Sequence, residues 1–123
     1  MPPPKERASH IALVELLNQG LAPGWRYTHI PLGELRDKRT AAILKAMGAQ
    51  PGWPDFIFVG RVGRSTVVFF LELKRKGERP SAIQADVASH LMACGCSYLW
   101  TDDLRDAVGT LHDLGALRAM VAV

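Results

Sequence analysis

The chain has 123 residues, of which 48% are hydrophobic and 22% are charged. This balance excludes an intrinsically disordered chain, and the length is too short for two independent cores, so we predict a single domain over residues 1–123. The longest apolar run, residues 67–71, is far too short to cross a bilayer. Because no apolar signal segment follows the first residues, we expect a cytoplasmic protein without membrane association.

The formal net charge of +3 is mild, but the cations are clustered. The clusters comprise Arg36, Lys38 and Arg39; Arg61 and Arg64; and Lys74, Arg75, Lys76 and Arg79. Such patches suit a polyanionic partner. Taken alone, a charge run is more often simply a solvated face, so charge permits nucleic-acid binding without establishing it.

Hydrophobic periodicity and breaker residues predict three elements in the first half of the chain. Residues 5–19 carry apolar side chains at helical spacing before Gly20, which indicates a helix. Residues 25–30 are rich in aromatic and β-branched types and precede Pro31, which favours a strand. Residues 34–47 again have helical character and an apolar side. The segment 51–54, with two prolines and a glycine, must be a loop.

The second half begins with a predicted hairpin. Residues 55–59 and 66–74 are β-rich, and the intervening 60–65 contains two glycines, which favours a turn. Ser81 is placed to cap a helix that ends near Cys94. A strand at 97–100 and a helix from 102 to about 120 follow. The order αβαββαβα predicts an α/β sandwich with a central mixed sheet flanked by helices.

The chemistry is concentrated at the end of the second hairpin strand. Side chains alternate along a strand, so Glu72 and Lys74 share one face, and Asp55 begins the preceding strand. Carboxylates in such apolar surroundings are costly to bury without a cation. Their oxygens, with the Leu73 carbonyl and water, are the ligands that Mg²⁺ or Mn²⁺ prefers. The competing interpretation is a solvent-facing Glu-x-Lys pair on an edge strand, but the apolar strand and the preceding Pro54-Asp55 argue against it.

These motifs, in their order, resemble the VRR-NUC branch of the PD-(D/E)xK nuclease superfamily. The resemblance is carried by the segments 51–55, 72–75 and 81–84, and it extends upstream through 30–33 and 36–48. It implies a restriction-endonuclease-like fold and a Mg²⁺- or Mn²⁺-dependent endonuclease that hydrolyses phosphodiester bonds in DNA.

The resemblance also implies roles for individual residues. Asp55 and Glu72 would bind the metal ion together with the Leu73 carbonyl, Lys74 would assist hydrolysis, and Gln84 would lie near the metal. The N-terminal helix would bring a glutamate to the site, for which Glu6 is the best match and Glu15 its competitor. DNA contacts are expected from the cations at Arg36, Lys38, Arg39, Arg75, Lys76 and Arg79.

Two positions depart from the family pattern. His10 stands where the family often has glutamine, one helical turn after Glu6, and we interpret it as a surface histidine rather than a ligand. Leu32 stands where the family tends to have asparagine. Trp53 is open to two interpretations, stacking on a base or packing its loop. Trp25, Tyr98 and Trp100 are predicted core residues, and His90 and His112 are predicted to be incidental.

Small stand-alone relatives resemble nucleases that cut branched DNA such as Holliday junctions, often as homodimers. We therefore expect branched DNA and a second copy of the chain as partners; no other protein partner is indicated. A nicking, flap or single-strand nuclease is one alternative. A catalytically silent DNA-binding module of the same fold is the other, and the retained set of Asp55, Glu72 and Lys74 argues against it.

Overall fold

The computed structural model describes residues 4–31 and 37–118, with side chains from residue 7 onward. This part of the chain contains four helices and four strands in the following order: α1 (Pro4–Gly20), β1 (Arg26–His29), α2 (Lys38–Ala46), β2 (Phe56–Val62), β3 (Ser65–Leu73), α3 (Ala82–Ala93), β4 (Ser97–Thr101) and α4 (Leu104–Asp113). The predicted order of elements is confirmed.

The strands form one sheet in the order β1-β2-β3-β4. The β1–β2 and β2–β3 pairs are antiparallel, and β3–β4 is parallel. The parallel pair is possible because α3 crosses from the end of β3 back to the start of β4. The predicted mixed sheet flanked by helices is therefore confirmed.

The main core lies on one face of the sheet. Phe56 and Phe58 of β2 and Phe69 of β3 are almost fully buried there, packed with Leu13 of α1 and Leu111 of α4. On the opposite face Phe70 is also buried, and the buried residues of α3 are Ala88 and Leu91. Both faces of β3 are thus covered near its C-terminal end, which explains its unbroken buried run from Phe69 to Leu73.

The hairpin turn is shorter than the sequence predicted. Strands β2 and β3 continue to Val62 and Ser65, and Gly63 adopts a φ of +60° in the two-residue turn. The sequence suggested Gly60 as a turn residue, but it is a buried strand residue paired with Val67. A Cβ added at Gly60 would lie 2.1 Å from the Trp25 ring, so this glycine serves close packing.

Two helices differ from their predicted form. Helix α4 ends at Asp113 rather than near residue 120, because Gly115 takes a φ of +82° just after the last turn. Helix α2 begins at Lys38, where Asp37 caps it, and the predicted start at 34–36 lies outside the described residues. No residue of α2 is buried, so the apolar side predicted for it does not enter the core.

The described helices include none that is long and apolar enough to traverse a bilayer.

Candidate metal centre

The site is built where β2 begins and β3 ends. The last paired residues there are Phe56 and Leu71, so Asp55 and Glu72 lie opposite each other one step further on. The Asp55 N–H donates to Glu72 Oε2 at 2.7 Å, and the Leu73 N–H donates to Asp55 Oδ2 at 3.2 Å. Each carboxylate is therefore held by the other strand's main chain.

Glu72 is the most buried polar group of the site, with 2% of its surface exposed. Its Oε1 lies 3.3 Å from Lys74 Nζ and accepts a hydrogen bond of 3.3 Å from Gln84 Nε2. Burial and the negative charge of Asp55 raise the pKa of Glu72 to about 7, against the opposing effect of Lys74. The site therefore has more negative than positive charge when both carboxyl groups are ionised, and water solvates that charge poorly.

Gln84 reaches this site because of how α3 begins. Ser81 is the N-cap of α3, and its hydroxyl accepts from the Gln84 N–H. In return Gln84 Oε1 accepts from the Ser81 N–H at 2.9 Å, which completes a capping box. With its oxygen engaged in this way, the amide presents its nitrogen to Glu72.

Lys74 follows the last residue of β3, and its N–H donates to the Thr101 carbonyl at 3.0 Å. Its ammonium lies 5.9 Å from the ring centroid of Trp100, on the strand paired with β3. Tyr98 is on the same strand, and burial together with the charges of Glu72 and Asp55 raises its pKa to about 12. Tyr98 and Trp100 are only half-buried. They were predicted as core residues, but they border the site, whereas Trp25 is in the core as predicted.

His10 is not the surface histidine that the sequence suggested. It is 8% exposed, and its Nε2 lies 3.4 Å from Asp55 Oδ2 and 3.5 Å from the Leu73 carbonyl oxygen. The prediction was wrong because His10 occupies the same face of α1 as the buried Leu13 and Leu17. Among the described side chains of α1, that of His10 reaches the site, as Gln84 does from α3.

His29 was not among the site residues predicted from the sequence. Its Nδ1 donates to the Asp55 carbonyl oxygen at 2.9 Å, and its ring lies 5.2 Å from that of His10 and 5.0 Å from that of Phe56. It ends β1, whose register with β2 places it opposite Phe56. Alternation within β1 signalled an inward side chain, but only the register brings it to Asp55.

The remaining predicted residues lie around this centre or outside the description. Glu6 belongs to α1 one turn before His10, and its side chain is not among those described. Its competitor Glu15 is exposed. Arg36 and Leu32 lie outside the described residues. The other cations predicted to contact DNA are all exposed: Lys38, Arg39, Arg75, Lys76 and Arg79.

Three other residues were singled out by the sequence. Trp53 packs edge-on against Phe70, with ring centroids 5.8 Å apart, and is 38% exposed. His90 is exposed on α3 and lies 3.6 Å from the Cys94 sulfur. His112 is in the last turn of α4.

The donor chemistry of the centre fits a hard divalent cation. Asp55 and Glu72 offer carboxylate oxygens, and the Leu73 carbonyl is adjacent. A cation would also relieve the repulsion that raises the pKa of Glu72. In the described part of the chain, no three His, Cys, Asp or Glu side chains are already spaced to hold a metal. The Leu73 carbonyl and water are further oxygen donors available to an ion at this place.

No protein-family model matches the chain, and no curated protein matches it. A solved structure described as "VRR_NUC domain protein" does match, with a TM-score of 0.72 at 17% sequence identity. The match covers 100% of this chain and 98% of that one. The chain therefore has the fold of a VRR_NUC domain protein, in agreement with the α/β sandwich of a mixed sheet flanked by helices that the sequence predicted.

Proposed function

We propose that the protein is a Mg²⁺- or Mn²⁺-dependent DNA endonuclease that hydrolyses phosphodiester bonds. The observation that carries this proposal is the opposed pair Asp55 and Glu72 with the Lys74 ammonium 3.3 Å from Glu72. Two adjacent carboxylates, one of them beside a cationic side chain, suit a divalent ion and an anionic substrate. The fold shared with a VRR_NUC domain protein supports the same class of activity.

The metal would be held by Asp55, Glu72 and the Leu73 carbonyl. When bound, such an ion neutralises charge on the scissile phosphate and lowers the pKa of a coordinated water. The protein's own contribution is to keep both carboxylates oriented. The main-chain N–H groups of Asp55 and Leu73 do this directly, and Gln84 does it from α3.

In the proposed reaction, Lys74 acts on the substrate phosphate or on the attacking water. Its ammonium is half-buried beside Glu72 and near the Trp100 ring, which keeps its position defined. From there it would hold a phosphate oxygen or orient the attacking water. Lys74→Met removes both roles, because methionine has neither a charge nor an N–H donor.

Branched DNA is the proposed substrate, and a homodimer is the proposed acting form. The exposed cations after β3, Arg75, Lys76 and Arg79, would contact the phosphate backbone. One site cuts one strand, so two copies are needed to cut a four-way junction symmetrically. The alternative is nicking, flap or single-strand cleavage by the same centre. A comparison of substrates distinguishes it from cleavage of branched DNA.

The test is cleavage of end-labelled four-way junction, flap, nicked, linear and single-stranded DNA with Mg²⁺, Mn²⁺ or EDTA. Metal-dependent cutting that disappears in Asp55→Asn and Lys74→Met, but not in Asp113→Asn, supports the proposal. Asp113 offers the same chemical change at an exposed position at the end of α4. If junction, duplex and single strand are cut equally fast, branch specificity is wrong. DNA binding without any cutting would favour the silent binding module.

A further inference from the structure

His10 enters the candidate metal centre from the side opposite Gln84. It lies on α1, against the core face of the sheet, and its ring packs edge-on against Phe56 with centroids 5.2 Å apart. The His29 ring packs edge-on against it as well. These contacts, with its 8% exposure, restrict the imidazole to one orientation.

In that orientation Nε2 faces two of the atoms proposed to bind the metal ion. It lies 3.4 Å from Asp55 Oδ2 and 3.5 Å from the Leu73 carbonyl oxygen. Adjacent ligands of an octahedral ion with bonds of about 2.1 Å lie roughly 3 Å apart. The two observed separations exceed this spacing by a few tenths of an ångström, so a small movement of the imidazole toward these oxygens would bring Nε2 to ligand spacing from both.

We propose that His10 Nε2 is a ligand of the divalent ion, shared with Asp55 and the Leu73 carbonyl. This inference rests on the metal centre of the proposed function and specifies its chemistry further. A nitrogen donor among oxygen donors favours Mn²⁺ and later transition metals over Mg²⁺, because Mg²⁺ prefers an all-oxygen shell. The centre is therefore selective for Mn²⁺ to a degree that two carboxylates and a carbonyl alone do not give.

A competing role for His10 is an ion pair. A protonated imidazole 3.4 Å from Asp55 would hold that carboxylate by charge and would have no lone pair on Nε2 for a metal. The two roles differ in whether nitrogen is bonded to the metal, which spectroscopy of the bound ion reports directly.

The experiment is electron spin-echo envelope modulation of Mn²⁺ bound to the full chain. The wild-type protein should show modulation from a directly bonded ¹⁴N, replaced by the ¹⁵N pattern when only histidine is ¹⁵N-labelled. Labelling leaves the sequence unchanged, so this measurement does not depend on a variant folding. The modulation should vanish in His10→Gln and persist in His29→Gln, the matched change at the neighbouring imidazole.

Metal titrations provide the second measurement. In His10→Gln the affinity for Mn²⁺ should fall on the order of tenfold or more, and the affinity for Mg²⁺ should fall much less. Mn²⁺ bound without histidine nitrogen modulation would overturn the role of His10 and leave the metal centre standing. Modulation lost only in His29→Gln would overturn it too. Binding of Mg²⁺ but not of Mn²⁺ would overturn this inference alone, and binding of neither ion would reject both it and the metal dependence of the proposed function.

Discussion

Asp55 and Glu72 face each other one step beyond the last paired residues of β2 and β3, and the Asp55 N–H donates to Glu72 Oε2 at 2.7 Å. The sheet register therefore fixes two carboxylates side by side, independently of any bound ion. Their mutual repulsion and the burial of Glu72 raise its pKa to about 7. Stability and metal binding should consequently depend on the same pair.

The first prediction concerns stability and pH in the absence of metal. The pKa of Glu72 is about 7 in the folded protein against the ordinary 4.5 expected when unfolded, so between these values the folded state holds a proton that the unfolded chain releases. The free energy of unfolding should therefore fall as pH rises from about 4.5 to about 7, by at most about 1.4 kcal/mol per pH unit, and then level off. Urea denaturation in EDTA at several pH values measures this.

The control for that prediction is Glu72→Gln, which cannot titrate. The free energy of unfolding of the wild type, minus that of the variant, should decrease between pH 5 and pH 8. Taking the difference removes the contributions of carboxylates common to both proteins. A difference that stays constant across this range would contradict the raised pKa of Glu72.

The second prediction concerns Lys74→Met. Removing the ammonium raises the pKa of Glu72 further, because Lys74 is one of the groups that lower it. The variant should lose about 1–3 kcal/mol of stability at pH 8, where a buried carboxylate loses its cation, and much less at pH 5. DNA cleavage should fall on the order of 100-fold or more. Lys45→Met, at an exposed position of α2, should alter stability little at either pH.

The third prediction separates the two functions of Gln84. Ser81→Ala removes the cap of α3 and should cost about 1 kcal/mol of stability, while the Gln84 contact with Glu72 can persist. Gln84→Ala removes both the capping-box partner and the hydrogen bond to Glu72. It should therefore lower cleavage activity about tenfold relative to Ser81→Ala at similar stability. Equal activities in the two variants would mean that Gln84 serves only the helix.

Much of the site was predictable from the sequence because it depends on local rules. Strand alternation placed Glu72 and Lys74 on one face, and the capping signal at Ser81 located the start of the helix that carries Gln84. The contributions of His10 and His29 were not predictable in the same way. Both depend on nonlocal packing. His10 reaches the site because α1 packs against the sheet, and His29 reaches it because of the register of β1 with β2.

The differences in the fold have a similar origin. Gly60 satisfied the local signal for a turn, but the Trp25 ring occupies the space where its side chain would be. Periodicity extended the last helix beyond Asp113 because the apolar residues after Gly115 also serve the core: Ala116 and Leu117 are buried there without being helical. Composition alone does not distinguish a turn glycine from a closely packed one, or a helical segment from a buried segment that is not helical.

The last prediction tests the interpretation that Gly60 is needed for close packing against the Trp25 ring. Gly60→Ala should destabilise the protein by about 1–3 kcal/mol or more, because the added Cβ meets an aromatic ring that is 6% exposed and has little room to move. Gly109→Ala is the matched change: it lies inside α4, and nothing is within 4 Å of its added Cβ. There the better helix propensity of alanine should stabilise the protein by about 0.5–1 kcal/mol. Opposite signs in thermal unfolding support close packing at Gly60, whereas a neutral Gly60→Ala would show that the Trp25 ring yields easily.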